Sequence, residues 1–303
     1  MSEALSGSKI SVGAPFFNKV NIPIGLLLLF LTGVGPLLAW RKTSVESLKR
    51  NFAWPLMVGV VSGAVIFVLG YREFYSLICF SLCFFVTATI AMEFYRGAKV
   101  IRVRSGASYL TSAIELTMRN TRRYGGYIVH MGMVLIFIGL AGAAFNQNVQ
   151  KEMQPGSSME LGKYKLVLQS FDSKPEANYT GLRLNVEVFV NDKPLMMLYP
   201  ERRIFETNGE TGTMVAIYST LREDLYVVYA GQSPDTKLPV IHAYLNPLVK
   251  WIWFGGVIVV FGTLVALLPN RRAVLVLSGA KQPAPEQLMH GMTPSATFRE
   301  GHD

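Results

Sequence analysis

Residues 125–145 read GGYIVHMGMVLIFIGLAGAAF, an apolar run in which His130 is the one titratable side chain well inside. A helix of ~20 apolar residues matches the hydrocarbon thickness of a bilayer, and it satisfies its own backbone hydrogen bonds there. The run therefore predicts a transmembrane helix. Working outward, four more runs have the same character: Ile22 to Trp40, Ala53 to Tyr71, Phe74 to Met92 and Leu248 to Leu268. Composition agrees: half the residues are hydrophobic, only 16% are charged, and mean hydropathy is +0.32. Soluble domains carry about 25% charged residues. The deficit sits in the apolar runs, whereas residues 147–246 have the composition of an ordinary soluble domain.

The basic residues fix an expected orientation. Arg41, Lys42, Lys49 and Arg50 lie between the first two runs, and only Arg72 lies between the second and third. Arg96, Lys99, Arg102, Arg104, Arg119, Arg122 and Arg123 follow the third, and Arg271 and Arg272 follow the fifth. Basic loops stay cytoplasmic. This places the N-terminus and residues 147–246 outside and the C-terminus inside. No cleavable signal peptide opens the chain, so an N-terminus that starts outside fits the second half of a longer protein or work beside a separate first half. The net charge of +9 follows from topology and contact with anionic lipid in the bilayer. No basic patch interleaved with aromatic residues suggests nucleic acid.

Between the last two spans the hydrophobic period changes to two. Tyr164 to Phe171, Leu182 to Val190, Leu195 to Phe205, Met214 to Thr220, Leu225 to Tyr229 and Val240 to Leu245 read as strands, with Asn191-Asp192 and Asn208-Gly209 as turns. The expected fold is an α-helical membrane protein of about five transmembrane helices plus a small external antiparallel β domain, a barrel or a sandwich. The expected order is an external segment 1–21, three spans within 22–93 and a basic cytoplasmic connector 94–124. The span 125–146, the β domain 147–246, the last span 247–268 and a disordered, Pro-containing cytoplasmic tail 269–303 complete it. The connector reads either as an amphipathic surface helix or as a solvated link.

Cys79 and Cys83, four apart in an apolar run, are expected to be packing residues, and no Cys-x-x-Cys is present. His290 and His302 fall in the tail, and His242 falls on the last strand near the membrane. His130 lies ~7–8 Å from the cytoplasmic end of its span, at ~1.5 Å per residue. Two readings stay open from the residues alone: a neutral imidazole hydrogen-bonded to a neighbouring helix, or an axial ligand to haem iron. Gly126, one turn earlier on the same face, leaves room for a flat group. Gly125, Gly132 and Gly139 recur on roughly the opposite face, where small residues admit a neighbouring helix. No span carries the series of charged residues expected of an ion path, and no inverted repeat suggests a transporter.

The run Arg122 to Gly132 resembles the penultimate helix of CcmF, the large haem-handling membrane protein of bacterial cytochrome c maturation. Val12 to Asn18, Gly33 to Leu37, Pro200-Glu201-Arg202-Arg203, Asp224 to Val227 and Asn246 to Trp253 resemble further motifs of that family, in the same order. The resemblance implies a subunit of a cytochrome c-type haem lyase, which forms thioether bonds between haem vinyl groups and Cys-x-x-Cys-His thiols. It implies haem delivered by the chaperone CcmE, and as partners apocytochrome c and its thiol-handling proteins. It also implies a permanent membrane haem b held between two histidines, of which His130 matches the second. Arg202 and Arg203 are candidates for a haem propionate or a partner protein. The tryptophan-rich external segment of the family, its flanking histidines and its first membrane histidine have no counterpart here. The resemblance therefore covers the C-terminal half in a split form, with the second axial ligand on an N-terminal CcmF-like chain. The competing expectation is a non-catalytic scaffold of the same assembly machinery, without haem of its own and with His130 structural. Trp251 and Trp253 are expected as interfacial anchors, and Arg122 and Arg123 as pins at the helix end.

Overall fold

A computed structural model describes residues 13–37, 45–176, 178–207 and 209–270. The expectations for Val12, Arg41, Lys42, Arg271, Arg272, His290, His302 and the turn residue Asn208 lie outside the described residues. Six helices are described: α1 Ala14–Val34, α2 Val45–Val68, α3 Phe74–Ser105, α4 Tyr109–Arg119, α5 Thr121–Ala141 and α6 Val249–Leu267. Short 3-10 turns extend α1 through Gly35–Leu37 and α5 through Gly142–Phe145. Five of the helices are long and apolar enough to cross a membrane, all except α4.

Two helices run further than their apolar stretches. Helix α1 begins at Ala14, with Pro15 in its first turn, where a missing N–H costs nothing. Helix α3 continues past Met92 to Ser105 and ends at Gly106, whose φ of 70° is the left-handed closure glycine favours. The Ser108 hydroxyl then caps α4 by accepting from the Thr111 N–H at 3.2 Å. Asn120 ends α4 and starts α5 at once. Its N–H donates to Leu116 and Thr117 carbonyls, and its Oδ1 accepts from the Arg123 N–H at 3.4 Å. The connector is thus a helical hairpin, in which Leu116 packs against Gly97 and Arg102 lies 4.2 Å over the Tyr109 ring.

Glycine lets α5 and α6 meet backbone to backbone. A Cβ on Gly132 would lie 2.7 Å from the Gly255 carbonyl oxygen, and one on Gly262 would lie 2.7 Å from the Val129 nitrogen. Gly125 meets Ala266 and Gly139 meets Ile252 along the same seam. At the end remote from the β domain, the Thr121 hydroxyl donates to the Leu268 carbonyl at 2.6 Å. The opposite side of α5 packs on α3. Cys79 and Cys83 donate weakly to the Phe137 and Val134 carbonyls at 3.6 and 3.7 Å, and Ser76 donates to Ala141 at 3.2 Å.

Among the described residues, ten antiparallel strands form a two-sheet sandwich: β1 Gln147–Glu152, β2 Ser158–Leu161, β3 Tyr164–Pro175, β4 Tyr179–Val190, β5 Lys193–Leu198, β6 Glu201–Phe205, β7 Thr211–Met214, β8 Ala216–Ser219, β9 Glu223–Gln232 and β10 Pro239–Pro247. One sheet has the order β1-β10-β9-β8, the other β2-β3-β4-β6-β7, with β5 also on β4. Leu166, Leu168, Leu184, Val186 and Val188 face Leu225, Val227, Tyr229, Ile241 and Ala243 in one buried core. Each such aliphatic side chain contributes roughly 1.5–3 kcal/mol by leaving water. Asn191 and Asp192, both at positive φ, turn β4 into β5. The expected strand 195–205 is two strands. Pro200 has no N–H to give a ladder and breaks it, while its carbonyl accepts from Leu184 at 2.9 Å.

The sandwich joins the helices tightly. Strand β1 starts two residues after the 3-10 turn ending at Phe145, and β10 reaches α6 across Leu248 alone, which takes φ 64°. The Leu248 N–H donates to the Arg222 carbonyl at 2.8 Å, and the Trp251 indole N–H donates to Leu221 at 3.0 Å. Trp253, by contrast, is 74% exposed.

Candidate functional site

At ~100° per residue, α5 carries a glycine stripe against α6 and a second stripe, Tyr124, Tyr127, Val134 and Ala141, buried toward α3. His130 falls on the flank between them. Its ring is half-buried, and its Nδ1 is enclosed with no hydrogen-bond partner. A structural histidine in an apolar span would be held by a bond to a neighbouring helix. The unpaired nitrogen leaves that bond unmade.

The flank beside His130 is open at Gly126, where an added Cβ would meet nothing within 4 Å. Two turns further on it is covered, since a Cβ on Gly25 of α1 would lie 3.3 Å from the Phe137 ring. Beyond that, α1, α3 and α5 enclose a cavity of about 570 Å³ near the β domain, lined by Asn18, Asn21, Cys79, Phe137 and Leu140 among others. His130 does not line it. A half-buried imidazole without a hydrogen-bond partner, on a helix side left open one turn earlier at Gly126, fits a planar metal-bearing macrocycle that takes an imidazole as axial donor.

One to two turns before His130 stands a polar cluster that sequence reasoning missed. The Arg123 guanidinium donates to Glu93 Oε2 at 2.5 Å through Nη2 and to the Tyr127 hydroxyl at 2.9 Å through Nε. Glu93 is 15% exposed and Arg123 50%. The signal was present in the sequence as an acidic residue at the end of an apolar run, but its partner lies thirty residues away.

Arg202 and Arg203 are spent inside the β domain. Arg203 pairs with Glu201 at 3.0 Å and lies 4.5 Å over the Tyr179 ring. The Glu201 carboxylate beside it raises the Arg203 pKa above its ordinary value. Arg202 crosses between the sheets, donating from Nη1 to the Ala230 carbonyl at 3.4 Å. His242 sits on the outer face of the smaller sheet, where the Tyr244 hydroxyl lies 2.8 Å from its Nδ1 and Asn148 Oδ1 3.3 Å from its Nε2. The β domain thus holds neither arginine nor His242 near His130. Among the described residues, no group of three or more His, Cys, Asp or Glu side chains forms a metal site.

Residues 144–247 match the family model described as the CcmF C-terminal beta-sandwich. Over 282 residues the chain is 30% identical to the cytochrome c-type biogenesis protein CcmF of Pseudomonas fluorescens, covering 92% of this chain and 41% of that protein. It is 26% identical over 270 residues to CcmF of Escherichia coli K12, covering 86% of this chain and 38% of that protein. It is also 25% identical to the biogenesis protein NrfE of Haemophilus influenzae, over 89% of this chain and 40% of that protein. The chain thus spans about two-fifths of the length of the curated relatives it matches. The fold matches the solved structure of a protein described as cytochrome c heme lyase CcmF, with a TM-score of 0.70 at 21% identity, covering 85% of this chain and 41% of that one. Membrane helices and β-sandwich together, the chain is similar to about two-fifths of CcmF, the part that carries the C-terminal β-sandwich.

Proposed function

We propose that the chain works in cytochrome c maturation as the C-terminal part of a haem lyase, with His130 as one axial ligand of a membrane haem b. The single observation that carries this is an imidazole in an apolar span with no hydrogen-bond partner among the described residues, one turn from the open space at Gly126. Its relatives are named for cytochrome c biogenesis, which gives the likeness its direction. When bound, the haem supplies one-electron chemistry. His130 would hold it, and the apolar residues around His130 would limit water there.

The second axial ligand comes from an N-terminal CcmF-like chain or segment, because His130 is the one histidine within a predicted span of this chain. Thioether formation is the work of that assembly, with CcmE delivering haem and apocytochrome c presenting its thiols. The β-sandwich, on the periplasmic side by the loop charges, is the docking domain. Arg202 and Arg203 serve first as its frame, since their guanidinium groups are engaged by Ala230, Glu201 and Tyr179.

The test is a reduced-minus-oxidised spectrum of the chain, purified alone and together with the N-terminal CcmF-like chain. A b-type spectrum present with the partner and lost in His130→Ala is the expected result. Absence of haem from both preparations, or an unchanged spectrum in His130→Ala, overturns the ligand assignment and leaves a scaffold of the assembly machinery.

A further inference from the structure

Arg123, which Glu93 and Tyr127 hold, lies on the side of α5 that carries His130. Arg123 precedes His130 by seven residues, two turns and ~10.5 Å along the axis, with Gly126 between them. A carboxylate only 15% exposed near the end of a membrane span is costly unless it holds a cation in place. Here it does so together with a phenol. Glu93 and Tyr127 engage Nη2 and Nε of Arg123, and Nη1 makes no bond among the described residues. The guanidinium is half exposed, so it is fixed at one edge and free at the other. A fork held this way is suited to a carboxylate, which it binds through parallel charge-assisted hydrogen bonds.

We propose that Arg123 is the carboxylate subsite of the His130 site. A planar tetrapyrrole dicarboxylate lies along the flank over Gly126, with its acidic edge toward the end of α5 remote from the β domain. Glu93 and Tyr127 are positioning residues that hold the guanidinium, and Arg123 selects ligands with free carboxylates. This rests on His130 as a haem ligand, and it adds the direction in which the macrocycle lies and the residue that sets it.

The test uses the full chain with its N-terminal CcmF-like partner in lipid nanodiscs, titrated with ferric protoporphyrin IX and, separately, with its dimethyl ester, followed at the Soret band. The unsubstituted complex is expected to prefer the diacid by about tenfold, the factor expected of one charge-assisted pair. Arg123→Ala is expected to abolish that preference by weakening the diacid alone. Arg123→Lys, which keeps the charge without the fork, retains part of it, and Glu93→Gln and Tyr127→Phe lower it partially. The ratio within each variant corrects for any loss of folded protein. An undiminished preference in Arg123→Ala, or an equal loss for both porphyrins, overturns the assignment. If His130→Ala loses the axial-ligand spectrum while Arg123→Ala keeps the preference, this inference alone falls. If neither porphyrin binds the unsubstituted complex, the proposed function falls with it.

Discussion

The Trp251 indole N–H donates to the Leu221 carbonyl at 3.0 Å, tying the first turn of α6 to the β8–β9 turn of the sandwich. Trp251→Phe keeps the apolar ring and removes the bond. It is expected to cost about 1 kcal/mol and to raise amide exchange in residues 221–223 and at Leu248, whose N–H bonds to Arg222. Unchanged exchange there would show that Leu248 alone secures the junction.

Two glycines on one helix are expected to respond oppositely. Gly132→Ala places a Cβ 2.7 Å from the Gly255 carbonyl, in a seam of backbone against backbone. A loss of about 1–3 kcal/mol is expected, read as earlier thermal unfolding in detergent. Gly126→Ala meets nothing within 4 Å and is expected to stay within about 0.5 kcal/mol. Gly126→Leu is expected to leave unfolding unchanged while lowering bound haem per chain. Equal effects at the two positions would sink the distinction between seam and open flank.

The β domain carries a pH dependence of its own. Burial first, and then the Glu223 carboxylate that accepts the Tyr164 hydroxyl at 3.0 Å, raise the Tyr164 pKa above its ordinary value. A raised acid favours the protonated phenol in the fold. Its contribution is therefore complete below the unfolded value of about 10 and is lost as pH rises toward the folded one. Thermal unfolding of the sandwich is expected to fall from about pH 10 upward, more steeply in the unsubstituted chain than in Tyr164→Phe. Parallel profiles would contradict it.

Much of this architecture is legible in the sequence because lipid and water impose different patterns. A bilayer demands long apolar runs, and Ala53 to Val68 or Gly125 to Phe145 can hardly read otherwise. The half of α3 beyond Met92 is not legible that way. After Met92 the chain turns basic, and its helix is fixed by Gly106, by the Ser108 cap and by Leu116 packed on Gly97. Strand β1 was hidden because Gln147–Glu152 has a single apolar residue, Val149, too few for a period of two, and is ordered by pairing with β10. His130 stands out in sequence as a titratable group in an apolar run. Arg123 does not, because an arginine at a helix end has a sufficient explanation until Glu93 and Tyr127 are seen beside it.

The short joins on either side of the sandwich have a mechanical consequence. Both chain ends of the domain pass almost directly into α5 and α6, and those two helices are locked by their glycine contact. Torque applied to the sandwich would therefore be carried into the helix bearing His130 rather than absorbed in a hinge. The sandwich would act as a handle, with any pull on it felt at the imidazole.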